Sequence, residues 1–580
     1  MDALDSLFED FWEYRLREAP ELASRTGDLR YNHLWQAKKP RDYARRVNDV
    51  KVLLRRLDAL EMTSASRQQQ LSCDLMKREL RLTVEAVEAN VHLLPTLVPV
   101  GFQMLLPFMP SALPFTTVKD YEDFIGRFLA FPAFVDDNLD LIAAGLDVGF
   151  AVPAVQYPKI LATLKPYLNV DPRDSEFYRP FANIPERFGS QQVIRLQGEA
   201  EAAIATHVLP QYHRIQKFVE ERIKPRLRDS IGLSDLPGGR ICYAYFVREQ
   251  ADSDLSPEEI HAIGLAEVAR LEAEMTSIAE AAGVPGLNGY ASRLRSDPAM
   301  FAESGEAYVE RARSVCKQID PALTKLFTKL PRTPYGVSLI PADLATTMGT
   351  PGNAEAPSGD GRKPGMLRIN PHRIGDLPYY MMQATMLHEC APGHLMHFAL
   401  TNEIDDLPKF RRYGMNGGYT AYVEGWALYC ESLGVELGLP QLPEERFGQL
   451  DFERLRAARL VVDTGIHALG WSRDQAIDYL DNHCTLGRPL ATSEVDRYIG
   501  MPAQALSYKL GQLKIRELRT RAEAALGAGF DLRAFHNEIL SLGGVSLDVM
   551  EKAINAWIHQ SIPPAATASN AAPSVATQVA

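Results

Sequence analysis

Met386-Leu-His-Glu-Cys-Ala-Pro-Gly-His-Leu-Met-His397 places three of the chain's thirteen histidines within twelve otherwise mostly apolar residues. Ionisable side chains in such a segment need partners, because burying a polar group without one is costly. A divalent metal satisfies several of them at once. His-Glu followed by a second His is the ligand, base, ligand order of zinc metalloproteases, whose HExxH spacing sets both histidines on one helical face. Here Pro392 stands where that second histidine would be, and the next one is His394. On an unbroken helix a six-residue step turns the second side chain about 240° from the first. Pro392 removes a helical hydrogen bond, and Gly393 permits unusual backbone angles. A bulge at this pair is therefore expected to bring His394 back beside His388. A rival pair, His394 and His397, shares a face without any bulge.

A catalytic zinc takes three protein ligands and keeps one position open. The third is sought in Tyr419-Thr-Ala-Tyr-Val-Glu-Gly-Trp-Ala-Leu-Tyr-Cys-Glu431, an apolar and aromatic segment with carboxylates at 424 and 431. Seven residues apart, the two share a helical face and need partners once buried. Glu424 is assigned as the ligand, and Glu431 as a group that orients one. Arg459, Asp463 and His467 step by four along an apolar helix and form a polar stripe suited to orienting ligands or binding substrate. His536 is open between a site group and a capped core histidine. Cys390 reads as a small buried filler, since spacing supplies no activating partner for a nucleophile.

Most of the remaining chain has the helical period. Val208, Tyr212, Ile215, Val219 and Ile223 form one apolar stripe. Ser256-Pro-Glu-Glu259 has the capping box and first-turn proline of a helix start, with Leu255 and Ile260 placed as a hydrophobic staple. Strands are expected at 240–247, 335–341 and 365–370, and the Gly- and Pro-rich residues 348–364 read as a long loop. That loop lacks GxxxxGK[ST], so it is no phosphate cradle. From 377 to 559 helix follows helix. The stretch 89–118 carries no formal charge, but its five prolines (95, 99, 107, 110, 114) argue for a buried irregular segment near a cleft and against a membrane span. A division is expected near Leu236-Pro-Gly-Gly239, giving an N-terminal helical lobe (1–235) and a site-bearing helical lobe with a small sheet (236–560). The charge-free tail 561–580 is expected to be disordered.

Net charge is −12, which disfavours nucleic acid as a partner. The six cysteines are scattered without a CxxC pair, and no basic and apolar leader opens the chain. These features point to reduced thiols and a cytoplasmic location.

His388-Glu-Cys-Ala-Pro-Gly-His394 together with Glu424-Gly-Trp-Ala-Leu-Tyr429 resembles an uncharacterised, mainly bacterial family known only as a domain of unknown function, whose hallmark is HExxPGHH followed by EGWALY. The resemblance extends through 255–261, 360–365, 462–467 and 502–508. Leu395 stands where the hallmark has a second histidine. That family is in turn distantly similar to helical gluzincin peptidases such as carboxypeptidase Taq, thimet oligopeptidase and angiotensin-converting enzyme. The resemblance implies a mostly α, two-lobed fold with a deep central cleft and a small β element. It implies His388, His394 and Glu424 as zinc ligands and Glu389 as general base. Tyr508 resembles in position the late tyrosine that stabilises the tetrahedral intermediate, with His467 expected to assist it.

The expectation is a zinc-dependent hydrolase of a peptide or small amide. Two alternatives stand beside it: a metal-dependent lyase or biosynthetic tailoring enzyme, and a metal-free helical binding protein.

Overall fold

The computed structural model describes residues 3–341, 345, 350–359, 361–413, 419–485 and 487–562. The expected tail falls almost wholly outside them. The fold is mostly helical with one small sheet. The N-terminal elements are α1 (Ala3–Glu18), α2 (Pro40–Asp58), α3 (Arg67–Glu88) and α4 (Val118–Asp147). Ser66 with Gln69, and Thr117 with Asp120, close capping boxes that satisfy the free N–H groups at the starts of α3 and α4. Between those helices the proline-rich stretch forms short helical turns, with Leu97, Phe102, Leu106 and Met109 buried. The stripe Val208, Tyr212, Ile215, Val219, Ile223 is buried throughout, as its period requires.

α5 (Gly239–Ala251) occupies the segment expected as a strand. The aromatic and β-branched composition of 240–247 misleads, because burial follows the helical period. Cys242, Tyr243, Val247 and Ala251 lie inside while Ile241 is 62% exposed. α6 (Pro257–Ala281) begins at the expected capping box and buries Ile260, Gly264, Val268, Leu271 and Met275. Leu255, expected to staple onto Ile260, is exposed instead.

The sheet has the order β1–β3–β2 among the described residues. β1 (Tyr335–Leu339) runs parallel to β3 (Gly365–Ile369), and β2 (Gly352–Glu355) runs antiparallel to it, with Ala354 opposite Leu367. β1 and β3 coincide with expected strands. β2 lies within the expected loop, whose Met348, Gly349 and Asp360 fall outside the described residues. Its Gly-Asn-Ala-Glu sequence has little strand preference of its own; pairing with β3 imposes the conformation.

The site-bearing helices follow: α7 (Met382–Glu389), α8 (His394–Asn402), α9 (Thr420–Glu431), α10 (Pro443–His467), α11 (Arg488–Gly500), α12 (Ser507–Leu526) and α13 (Leu532–Ser541). The largest core joins Leu4, Phe8, Trp12, Leu53 and Leu75 to Met386, Tyr422, Trp426 and Ile539. A second core, from Trp35 to Ile223, lies wholly before residue 235. Most buried residues of the first eighty thus share a core with the site-bearing helices, while the second core is built mainly from the stretch after them. No described helix is long and apolar enough to cross a membrane.

Candidate metal centre

α7 stops at Glu389. Cys390 still donates to the carbonyl of Met386, but its backbone then leaves the helical region (φ −98, ψ −96). Pro392 has no N–H with which to continue the ladder. α8 starts afresh at His394, with His397 donating to the Gly393 carbonyl and Met396 to that of Cys390. The expected bulge is therefore a full break between two helices. Gly393 makes it possible: a Cβ there would lie 1.8 Å from the carbonyl oxygen of His388, so only glycine lets the chain fold back so closely.

α9 holds the break and completes the cluster. Trp426 Nε1 donates to the Pro392 carbonyl at 3.0 Å. Gly425 faces Gly511 on α12, where a Cβ would come within 2.5 Å of backbone, so the two helices cross at close range. This places Glu424 Oε2 3.6 Å from His388 Nε2 and 3.3 Å from His394 Nε2. The two imidazole rings stand nearly perpendicular, at 88° with centroids 4.8 Å apart. All three donor atoms lie within 4.8 Å of one another. A tetrahedral zinc with bonds of about 2.0–2.1 Å spaces its ligand atoms by roughly 3.4 Å, so the Glu424 distances suit such an ion. Glu424 Oε2 is buried with the two imidazole nitrogens as its neighbours, the arrangement of three donors that could share one cation.

Glu431, two turns along α9, binds the other side of His388: Oε1 lies 2.8 Å from Nδ1. With the Nδ1 proton given to Glu431, Nε2 presents its lone pair to the cluster. Burial opposes charge on His388, but Glu424 and Glu431 outweigh it and push its pKa up to about 9. Burial likewise opposes charge on Glu424, yet His388 and His394 hold its carboxyl well below the usual range. The surroundings of His388 thus favour a positive charge at this point.

The three residues open onto a cavity of about 440 Å³, also lined by Glu389, Phe398, Thr420, Arg456, Arg459 and Tyr508. Gly352–Ala354 of the edge strand β2 form another wall. Burial and the nearby Glu424 raise the Tyr508 pKa, which keeps its hydroxyl a donor.

The other candidates lie elsewhere. His397 is buried against Tyr422 and Phe398 and does not line the cavity, so the His394/His397 pair is not brought together. His467 is fully buried away from the cavity, with both ring nitrogens on backbone: Nδ1 accepts from Leu233 N, and Nε2 faces the Tyr498 carbonyl. That corrects its expected place beside the substrate. Asp463 is likewise buried, accepting from the Tyr243 hydroxyl and Ala503 N. His536 bridges the Tyr429 hydroxyl and the Leu326 carbonyl as a core group. The Cys390 thiol, hydrogen-bonded to Cys316 and buried, has its pKa raised, as suits a filler. Arg456, which contributes to the cavity wall, was not anticipated; the signal was its position three residues before Arg459 on a helix otherwise buried on nearly every side.

Comparison with known proteins bears on the whole chain. No functionally curated protein matches it. A solved structure described as "putative lipoprotein from Colwellia psychrerythraea" is 27% identical and superposes with a TM-score of 0.86, covering 96% of this chain and 99% of that one. A "putative lipoprotein of unknown function from Shewanella oneidensis" shares the fold at 16% identity and a TM-score of 0.72, over 96% of this chain and 100% of that one. The family model described as "Bacterial protein of unknown function (DUF885)" matches residues 20–554. The chain belongs to that family.

Proposed function

We propose that the protein is a zinc-dependent hydrolase of peptide or related small amide bonds. The observation that carries the reading is the convergence of His388, His394 and Glu424 at the wall of a cavity that Glu389 also lines. Two imidazoles and a carboxylate are a common donor set for catalytic zinc, and His388, Glu389 and His394 keep the ligand, base, ligand order of zinc metalloproteases. Zinc held there would supply Lewis acidity and an acidified water. Glu389 accepts the proton of the attacking water and passes it to the leaving amine. Tyr508 donates to the substrate oxygen as negative charge develops on it. Glu431 keeps His388 in the tautomer that ligation needs. The side of β2 that pairs with no strand among the described residues is suited to an extended amide chain, which can add to a sheet edge by backbone hydrogen bonds.

We also read the location as cytoplasmic, on the six buried, unpaired cysteines.

Glu389→Gln tests the mechanism. Zinc content stays near one per chain, while hydrolysis of a verified amide substrate falls by about 10²-fold or more. Turnover that survives the substitution contradicts the reading. Zinc bound without amide cleavage in the wild type would point to a lyase or tailoring step instead.

A further inference from the structure

We propose that Arg459 and Arg456 form a carboxylate-binding subsite, so that the substrate is an amide bearing a free carboxylate close to the bond that is cut. The inference rests on the hydrolase reading for what is cut, and on the arginines alone for what is bound. Both side chains rise from one face of α10, three residues apart, and both line the cavity that His388, His394 and Glu424 share. Their guanidinium carbons sit over the ring of Tyr508, at 4.6 Å for Arg459 and 5.9 Å for Arg456.

Neither guanidinium is used up by the fold. Arg459 is only 8% exposed. Its Nε donates to the Tyr498 hydroxyl and its Nη2 to Glu494, while Nη1 has no partner among the described residues. Anchoring α10 to α11 therefore occupies two of its three nitrogens. Arg456 gives Nη1 to the Phe452 carbonyl and holds Nη2 3.8 Å from Glu431, leaving Nε without a partner among the described residues. A buried donor left unpaired is destabilising. Both arginines therefore line the cavity with hydrogen-bonding capacity that the described residues do not use.

Charge points the same way. Arg459 and Arg497 share the single carboxylate of Glu494. Burial opposes charge on Glu494, but the two arginines hold its carboxyl below the usual range, so one ionised carboxylate is divided between two guanidinium groups. The planar guanidinium fork matches a carboxylate better than it matches a neutral amide. A cavity of about 440 Å³ admits a ligand of drug-like size, which fits a terminal residue or an N-acyl amino acid.

The test is calorimetric titration of the full chain with N-acetylphenylalanine and, separately, with its carboxamide. It is run on zinc-loaded and on chelator-stripped protein, the stripped form reading binding without any turnover. The carboxylate is expected to bind both forms at least ten-fold more tightly than the carboxamide. Arg459→Met and Arg456→Met, each checked for an intact cooperative melt, reduce carboxylate binding ten-fold or more and leave the carboxamide unaffected. A competing titration with inorganic phosphate is expected to be weaker than the carboxylate. Equal binding of carboxylate and carboxamide, no binding of either at 10 mM (about −3 kcal/mol), phosphate binding tighter than the carboxylate, or folded arginine variants that bind as wild type would each overturn the proposal. Such a failure leaves the Glu389→Gln test untouched. Carboxylate binding without amide cleavage would instead fault the hydrolase reading alone.

Discussion

At the scale of single residues, the histidines of this chain divide by what their nitrogens touch. His388 has a carboxylate near each nitrogen, whereas His467 has backbone on both. The consequence appears in their protonation. Burial pushes the His467 pKa down from 6.5 to about 4, while carboxylates push that of His388 up. The folded state therefore keeps His467 neutral to about pH 4, whereas the unfolded chain takes up a proton near 6.5. Stability linked to His467 is fully present above pH 6.5 and is lost as pH falls toward 4, by about 3 kcal/mol for a shift of this size. His467→Gln is thus expected to flatten the pH dependence of urea unfolding between pH 6.5 and 4 by about that amount, with zinc stoichiometry unchanged. Zinc loss with an unaltered pH slope would return His467 to the site. Sequence could not separate the two roles, because a histidine on an apolar helix has the same pattern whether a metal or a carbonyl satisfies it. His388, His394 and Glu424 were legible because motif and apolar context acted together. Arg456 was not, because an arginine on a helix ordinarily marks a solvated face, and only the burial of α10 on nearly all sides makes it otherwise.

At the scale of elements, the two motifs describe one joint. His388-Glu-Cys-Ala-Pro-Gly-His394 ends one helix and starts another, and Glu424-Gly-Trp426 locks the gap between them through Trp426 and the Pro392 carbonyl. Proline and glycine together announced a departure from regular helix. Whether that departure is a bulge or a break depends on the carbonyl of His388 lying against Gly393, a tertiary contact that spacing does not encode. Gly393→Ala would put a Cβ 1.8 Å from that oxygen. The expected outcome is destabilisation of at least about 2 kcal/mol, with zinc affinity reduced about ten-fold or more in a chelator competition. A variant matching wild type in both melting and zinc affinity would show that the joint does not position His394. The other elements misread from sequence failed for related reasons. α5 carries strand-like residues that are buried at helical spacing, and β2 carries loop-like residues held in place by β3.

At the scale of the molecule, the N-terminal helices close the core beneath the site-bearing helices. Phe8 and Phe11 pack on Phe410, and Arg411 donates to Gln68 and Ser72 of α3. Helical periodicity gave the class of fold, but which helices share a core lies in contacts between residues hundreds of positions apart. The cluster of His388, His394 and Glu424 depends on that assembly, since α7, α8 and α9 all belong to the largest core. On the proposed function this assembly holds one zinc ion. X-ray diffraction from crystals of zinc-supplemented protein, recorded on both sides of the zinc absorption edge, tests it most directly. A single anomalous peak is predicted per chain, bounded by His388 Nε2, His394 Nε2 and a Glu424 carboxylate oxygen. A peak bounded by His397, or no peak with zinc in excess, would contradict it.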